Sequence, residues 1–262
     1  MISQAAITHW RNVAPWPQDA QVEQDLILCR GLVEIFQDAA LSKALLLRGG
    51  TALHKLLVAT PHRYSEDIDL VQVAAGPIGA TLDAIRSRLD PILGKPRREN
   101  NPGNVTLRYR MESEIPPVIP LRLKVEINTR EHFAVFDTVR HPFSIQSPWF
   151  EGHAEIRTYA LDELLATKLR ALYQRRKGRD LFDLWVGLGL KGADPARIVD
   201  AFRKYMNAGG DKVSRREFEL NLEAKVALRQ FNDDLRPLLA PSIRYDAGEA
   251  ARVVGERLLA KL

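Results

Sequence analysis

LLLRGGTALHKLLVATPHRYSEDIDLV, residues 45–71, is the most informative part of the chain. Its first apolar run ends in a Gly-Gly-Thr turn, and its second carries Asp67 and Asp69. Alternate residues of a strand point to one face, so these carboxylates are expected to project side by side while Ile68 and Leu70 face a core. Adjacent carboxylates repel each other, and a divalent cation relieves that repulsion. The alternative is a pair of exposed turn carboxylates, but charges on an apolar strand favour a metal-binding role.

The turn at Gly49, Gly50 and Thr51 stands where the first strand passes into a helix. Backbone N–H groups at a helix start have no partner within the helix, so they can hold a phosphate. The Thr51 hydroxyl is expected to cap this helix. A phosphate cradle beside a metal-binding carboxylate pair is typical of phosphoryl or nucleotidyl transfer.

Composition is ordinary for a globular protein. Of 262 residues, 45% are hydrophobic and 27% charged, and 38 basic against 33 acidic residues give a net charge of +5. This balance permits a polyanionic partner without requiring one. The single cysteine, Cys29, excludes an internal disulfide and fits a reducing compartment. Neither a signal peptide nor an apolar run long enough to span a membrane is visible, which predicts a soluble, cytoplasmic protein without membrane contact.

Periodicity predicts an α+β fold, in which a small mixed sheet flanked by helices is followed by helices alone. The expected boundary lies near residue 155, giving a core at 1–155 and a helical domain at 156–262. The predicted helices cover residues 21–40, 77–93, 161–176, 178–187, 195–207, 214–236 and 248–262. The predicted strands cover residues 42–48, 67–71, 105–110, 121–128 and part of 133–145, with a polar turn at 97–103.

Glu126 is the expected third carboxylate of the site. It lies on the polar side of an alternating strand, with Lys124 and Asn128 on the same face. A third carboxylate helps to neutralise two bound metal ions, provided that this strand lies beside the one carrying Asp67. The alternative is a solvated surface glutamate.

Lys168 is the most informative residue of the C-terminal half. On a helix it falls inside an apolar stripe, between Leu164 and Leu172. A lysine there must either extend to solvent or meet an anion, and the phosphate cradle favours triphosphate contact. Asp180 stands at a helix start and borders the apolar side more closely than Asp183, so Asp180 is assigned the inward role.

Five segments together resemble one known family: GGTAL at 49–53, RYSEDIDL at 63–70, KVEI at 124–127, KLRAL at 168–172 and GRDLFDL at 178–184. They resemble the AbiEii/AbiGii nucleotidyltransferase toxins, which include the MenT toxins, in the polymerase-β-like nucleotidyltransferase superfamily. The resemblance covers roughly residues 20–190. It implies a polymerase-β-like core with a C-terminal helical domain that contributes Lys168 and Asp180 to the site.

The resemblance also implies a function. Members are toxins encoded beside a cognate antitoxin, and studied relatives transfer nucleotides from an NTP to the 3′ end of tRNA, which blocks translation. Mg²⁺ or Mn²⁺ is the implied cofactor, and the implied acceptor is tRNA or another RNA.

Individual roles follow from the same resemblance. Gly49, Gly50 and Thr51 correspond to the phosphate-binding turn, and Asp67 and Asp69 to the metal ligands. The further implied roles are Glu126 as third metal ligand, Lys168 as triphosphate lysine, Asp180 as second essential acid, and Ser65 as a nucleotide-binding position that phosphorylation can silence. A phosphate on Ser65 would add negative charge where metal and triphosphate bind.

The basic segment containing Arg175, Arg176, Lys177 and Arg179 is expected to contact the RNA backbone. Two alternatives stay open from the sequence. One is nucleotidyl transfer to a small molecule or a protein on the same fold. The other is a catalytically silent module that binds nucleic acid or an antitoxin.

Overall fold

The computed structural model describes residues 2–262, which divide into two compact units. The first contains the described residues up to Phe133 together with Thr138–Thr158. The second contains Ala134–Asp137 and Tyr159–Leu262. The strands lie in the first unit, whereas the second is built from helices in the part of the chain described.

One seven-stranded mixed sheet forms the frame of the first unit. Its strands are β1 (Leu45–Arg48), β2 (Asp67–Gln72), β3 (Arg97–Asn101), β4 (Asn104–Glu112), β5 (Pro120–Asn128), β6 (Val139–Gln146) and β7 (Glu151–Thr158). The order across the sheet is β3-β4-β5-β2-β1-β7-β6. The β2–β5 and β1–β7 pairs are parallel and the others antiparallel, so the predicted α+β class with a mixed sheet is confirmed.

Helices cover the apolar face of this sheet. They are α1 (Gln4–Trp10), α2 (Asp19–Phe36), α3 (Ala39–Ala44), α4 (Gly49–Ala52), which continues as a π-helical turn (Leu53–Leu57), and α5 (Gly79–Leu93). Gly31 lets α2 approach the sheet closely, because a Cβ there would lie 3.2 Å from Cδ1 of Ile68 and 3.7 Å from Leu123. The alternate residues of β2 and β5 that face α2 are therefore fully buried.

The boundaries around α2 and β1 differ from the predicted ones. The single helix expected at residues 21–40 is two helices, since α2 ends at Phe36 and Asp38 caps α3 by accepting from the N–H groups of Ala40 and Leu41. Ser42 lies in α3 rather than at the start of β1. The local cap interrupts a hydrophobic periodicity that runs across both helices.

Two strands were missed. Residues 97–103 were predicted as a turn, yet Arg97–Asn101 forms the edge strand β3, whose polar residues give no alternation and which exists through its pairing with β4. The strand β7 was missed because its buried side has few apolar residues, namely Ala154 and Ile156. Pairing with β6 stabilises β7, and the strands consequently end at Thr158 rather than near residue 155.

The second unit consists of α6 (Leu161–Gln174), α7 (Gly178–Leu188), α8 (Pro195–Ala208), α9 (Arg215–Val226), α10 (Arg229–Asp233), α11 (Ala247–Arg257) and 3₁₀ turns at Arg236–Leu238 and Leu259–Lys261. Gly187 permits close packing of α7 on α6, since a Cβ there would collide with Leu165. Buried Glu163 accepts from the N–H groups of Val135 and Phe136 and from the Tyr205 hydroxyl, which ties residues 134–137 to this unit. No helix within residues 2–262 is both long and apolar enough to cross a membrane.

Candidate active site

The glycine turn joins β1 to the helical segment that starts at Gly49. Gly49 has φ +78°, a left-handed conformation, and a Cβ on it would collide with the Asp69 carboxylate. A Cβ on Gly50 would collide with the Arg63 guanidinium. Arg48 precedes the helix and gives no side-chain cap, so the first N–H groups are not satisfied in that way. The backbone of this turn thus lies directly against one candidate carboxylate.

The Thr51 hydroxyl does not cap the helix, which corrects the prediction. The helix begins two residues earlier, at Gly49, so Thr51 lies inside the first turn. Its hydroxyl donates to the Asp67 carbonyl oxygen and shares a 2.7 Å hydrogen bond with Oγ of Ser65. Thr51 and Ser65 are both buried. Their side chains therefore fasten the turn to the start of β2.

The three carboxylates predicted from the sequence share one face of the sheet. Asp67 and Asp69 alternate along β2, and Asp69 lies opposite Glu126 of β5, the neighbouring parallel strand. Lys124 lies opposite Asp67, and its Nζ is 3.1 Å from Oδ2 of Asp67 and 3.2 Å from Oε2 of Glu126. The expectation that the Glu126 strand lies beside β2 is confirmed.

Electrostatics single out Asp67. Desolvation, reinforced by the charge of Asp69, raises the pKa of Asp67 to about 6. Burial alone would lower the pKa of the Lys124 ammonium, but the surrounding carboxylates, Asp67 first among them, raise it. The face thus concentrates negative charge that one lysine only partly compensates.

The donor set on this face has the chemistry of a divalent-metal site. Asp67 and Asp69 supply hard oxygen donors on one face, and Mg²⁺ is commonly bound by one or two carboxylates plus substrate phosphates. Within residues 2–262, no three His, Cys, Asp or Glu side chains are grouped so that they could hold a metal by themselves. Lys124 Nζ donates to Glu126 at 3.2 Å and lies 3.1 Å from Asp67, so this contact does not distinguish the two acids. The donor chemistry of the aspartate pair fits Mg²⁺ or Mn²⁺, and the third-ligand role of Glu126 stays a prediction.

Arg63 is a residue of this region to which the sequence assigned no role. It is only 3% exposed, its guanidinium packs against Gly50, and its Nη1 donates to the Tyr64 carbonyl oxygen at 2.9 Å. The signal was available, because Arg63 opens the same RYSEDIDL segment that carries Ser65 and Asp67. A buried cation behind the glycine turn lowers the cost of bringing an anion to that turn.

The second unit contains a buried charge cluster on α6 and α7. Lys168, with 8% of its side chain exposed, is 2.7 Å from Oδ2 of Asp183 and 3.4 Å from Oδ1 of Asp180. Both aspartates are fully buried, so Asp180 points inward as predicted, and Asp183, which was ranked behind it, points inward as well. The helical wheel did not separate the two residues because both lie within the wide buried face of α7.

Arg175 completes this cluster. Its Nε and Nη2 donate to the two carboxylate oxygens of Asp180 at 2.7 and 2.8 Å. Burial alone would raise the pKa of Asp180, but Lys168 and Arg175 outweigh it and lower the pKa. Asp180 is therefore held in its ionised form, and Lys168 meets the anions of its own unit; its contact with a triphosphate stays a prediction.

The basic segment expected to contact RNA is partly committed to internal ion pairs. Besides Arg175, Lys177 lies 2.9 Å from Asp234, and Nε of Arg179 lies 3.9 Å from the same carboxylate. Arg176 is exposed. RNA contact by this segment stays a prediction.

Comparisons with known proteins identify solved structures with the same fold. The MenT4 nucleotidyltransferase toxin of Mycobacterium tuberculosis superposes with a TM-score of 0.69 at 17% identity, over 100% of this chain and 91% of that one. A Helicobacter pylori protein described as a candidate nucleotidyltransferase superposes with a TM-score of 0.54 at 18% identity, over 92% of this chain and 93% of that one. JHP933 of the same organism superposes with a TM-score of 0.50 at 17% identity, over 93% of this chain and 95% of that one. At these identities the likeness shows a shared fold.

The class of protein follows from the fold together with the sequence profile. It is a nucleotidyltransferase with a mixed sheet and a helical second unit. The chain belongs to the AbiEii nucleotidyl transferase toxin family of type IV toxin–antitoxin systems, whose profile matches residues 30–252. No curated protein sequence matches the chain significantly.

Proposed function

We propose that this toxin transfers a nucleotide from an NTP to the 3′ end of an RNA acceptor, with tRNA as the preferred acceptor, and thereby blocks translation in the cytoplasm. The observation that carries the proposal is the direct packing of the Gly49 turn on Asp69, beside Asp67 on the same strand. A phosphate-binding backbone in contact with an oxygen-donor pair suits a reaction at an NTP. Membership of a toxin family supports an acceptor whose modification arrests growth.

The reaction balances as a displacement at the α-phosphorus. The acceptor 3′-hydroxyl oxygen forms a bond to that phosphorus, the bond to the oxygen bridging the β-phosphorus breaks, and pyrophosphate leaves. The hydroxyl proton passes to a carboxylate of the site. A divalent ion on Asp67 and Asp69 would supply Lewis-acid stabilisation of the charge that develops on the phosphoryl oxygens.

The chain's own residues provide the remaining contributions. The N–H groups following Gly49 would orient the triphosphate, with buried Arg63 behind Gly50. Lys124 neutralises part of the charge between Asp67 and Glu126, so that a polyanionic substrate can approach. The family resemblance assigns Lys168 and Asp180 of the second unit to the same reaction, with Lys168 as a triphosphate contact.

The test is label transfer from an α-labelled NTP to total tRNA. Asp67→Ala is expected to abolish transfer, because the site loses one of its two paired carboxylates. Asp83→Ala, an exposed acid on α5, serves as the matched control and should retain full activity. Transfer that survives Asp67→Ala would exclude the proposed site.

The acceptor is tested in the same assay. Labelled NTP is offered in parallel to tRNA, to protein and to an aminoglycoside, with each of the four NTPs. Label confined to tRNA is the expected outcome. Label on protein or aminoglycoside alone would overturn the RNA assignment while leaving the nucleotidyltransferase itself intact.

A further inference from the structure

The sheet face that carries Asp67 also carries cations on the adjoining strands. Lys124 of β5 lies opposite Asp67, Arg108 of β4 lies opposite Lys124, and Arg97 of β3 lies opposite Arg108. Strands are about 4.8 Å apart, so this row extends roughly 14 Å from Asp67 to the sheet edge. The cations therefore lead from the candidate site to an open edge.

A second pair of cations lies farther along the same face. Arg110 and Arg122 are directly opposite each other on β4 and β5, and both are exposed. Like charges placed directly across antiparallel strands are destabilising. Within residues 2–262, neither arginine has a carboxylate oxygen within 4 Å, and the charge of Arg110 acts only as one of several that lower the pKa of Glu99. Such a pair is stabilised when an anion binds both side chains.

The acids of this face do not cancel these charges. Glu99 serves two arginines, at 2.8 Å from Nε of Arg108 and 3.6 Å from Nε of Arg97. Glu126 is bonded to Lys124. Glu112 lies at the end of β4, opposite Pro120. The four arginines thus exceed the carboxylates available to them.

The strands β4 and β5 fix the backbone positions of Arg108, Arg110 and Arg122. The other side of β4 and β5 is buried, with Leu107, Tyr109 and Leu123 fully covered. The Tyr109 hydroxyl also donates to Asp90 of α5 at 3.1 Å. Long side chains on a rigid sheet lose less freedom on binding than those on a mobile loop.

We propose that Arg97, Arg108, Arg110 and Arg122, named here the arginine face, bind the sugar–phosphate backbone of the acceptor RNA as its 3′ end approaches Asp67. This inference rests on the proposed function, because that function supplies the polyanion. Guanidinium groups match phosphate oxygens in geometry as well as in charge. Contacts of this kind position an RNA without reading its sequence.

The test measures tRNA binding without NTP, by fluorescence anisotropy of a labelled tRNA transcript over a series of salt concentrations. The double variant Arg110→Gln with Arg122→Gln should bind about tenfold or more weakly at 0.1 M salt. Its plot of log affinity against log salt should be less steep by roughly 1.4 to 1.8, corresponding to two lost phosphate contacts.

A matched control removes two positive charges from the opposite side of the same unit. Arg86→Gln with Arg88→Gln changes two arginines of α5 that pair with Asp90 and Asp38, and it should leave affinity and slope unchanged. Arg110→Lys with Arg122→Lys retains the charges and should restore most of the slope. Circular dichroism melting curves establish that each variant is folded.

Two results would overturn the inference. One is wild-type affinity and slope in the Arg110→Gln, Arg122→Gln variant, and the other is an equal loss in the α5 control, which would indicate net charge alone. Failure of the proposed function looks different. Wild-type protein would then bind tRNA through the arginine face, yet transfer no label to it from any NTP.

Discussion

Two features of the structure require a glycine at position 49. Its left-handed backbone allows β1 to turn into the helical segment, and its missing side chain lets the Asp69 carboxylate pack against the turn. Other residues pay roughly 1–2 kcal/mol for that conformation, and a side chain would also push Asp69 away. Position 49 therefore links backbone geometry to the candidate chemistry.

Gly49→Ala is expected to reduce label transfer by about 100-fold, since displacement of a reacting group by about 1 Å has an effect of that order. The free energy of unfolding should fall by roughly 1–2 kcal/mol. Gly79→Ala is the control, because a Cβ at Gly79 meets no atom within 4 Å and its backbone is not left-handed. Unchanged transfer in Gly49→Ala would show that the turn does not position Asp69.

Ser65 offers a second test at the same scale. Ser65 precedes Asp67 by two residues, and its buried hydroxyl shares a hydrogen bond with the Thr51 hydroxyl. Ser65→Asp is expected to abolish transfer, because it adds a negative charge beside the aspartate pair. Ser65→Ala loses only a hydrogen bond of about 1 kcal/mol and should retain most activity. The measurement compares initial rates of label transfer among variants that are folded. An active Ser65→Asp protein would contradict the electrostatic basis for silencing by phosphorylation.

At the scale of elements, α6 and α7 enclose ionised groups within an apolar interface. Lys168 extends from α6 between Asp180 and Asp183 of α7, and Arg175 binds Asp180 from the end of α6. Removal of one partner of a buried pair leaves an uncompensated charge, whereas removal of both does not. The packing of α6 on α7 is therefore stabilised by these ion pairs as well as by apolar contacts.

This neutralisation predicts a non-additive pattern in urea unfolding. Asp183→Ala should lower the free energy of unfolding by about 3–5 kcal/mol, because Lys168 loses its shorter contact. Asp183→Ala combined with Lys168→Met should cost less than the sum of the two single changes. Strict additivity would show that the Lys168–Asp183 contact contributes no coupling.

At the scale of the molecule, a net charge of +5 is combined with a sheet face on which Asp67, Asp69 and Glu126 adjoin Lys124 and the arginine face. Such an arrangement attracts a polyanion over a distance that ionic strength controls. A small acceptor would respond to that field much less than an RNA.

The rate of transfer to tRNA at subsaturating concentration should therefore fall steeply with salt. Between 50 and 200 mM salt, about three phosphate contacts would reduce kcat/KM roughly 40-fold. The matched measurement is the affinity for Mg²⁺–NTP without RNA over the same range of salt concentrations. This affinity should change less than kcat/KM for tRNA. A kcat/KM for tRNA that does not depend on salt would contradict an electrostatically bound RNA acceptor.

Much of the candidate site was predictable because its signals are local. Alternation in DIDL and KVEI placed Asp67, Asp69 and Glu126 on the polar sides of their strands, and the Gly-Gly-Thr turn marked a strand-to-helix junction. The residues that were misjudged depend on partners distant in sequence. The Thr51 hydroxyl bonds to β2 instead of capping its helix, and Asp183 is buried because Lys168 reaches it from another helix.

The sequence by itself determined the α+β class, the family and the faces of β2 and β5, since hydrophobic period and motif order are properties of the chain alone. Only the tertiary structure decided that β3 and β7 are strands, because their few apolar residues give no period and their stability comes from pairing. It alone also set Arg110 against Arg122 and aligned Arg97 and Arg108 with Asp67. Strand register brings together residues that no local pattern connects, which is why the arginine face could not be read from the sequence.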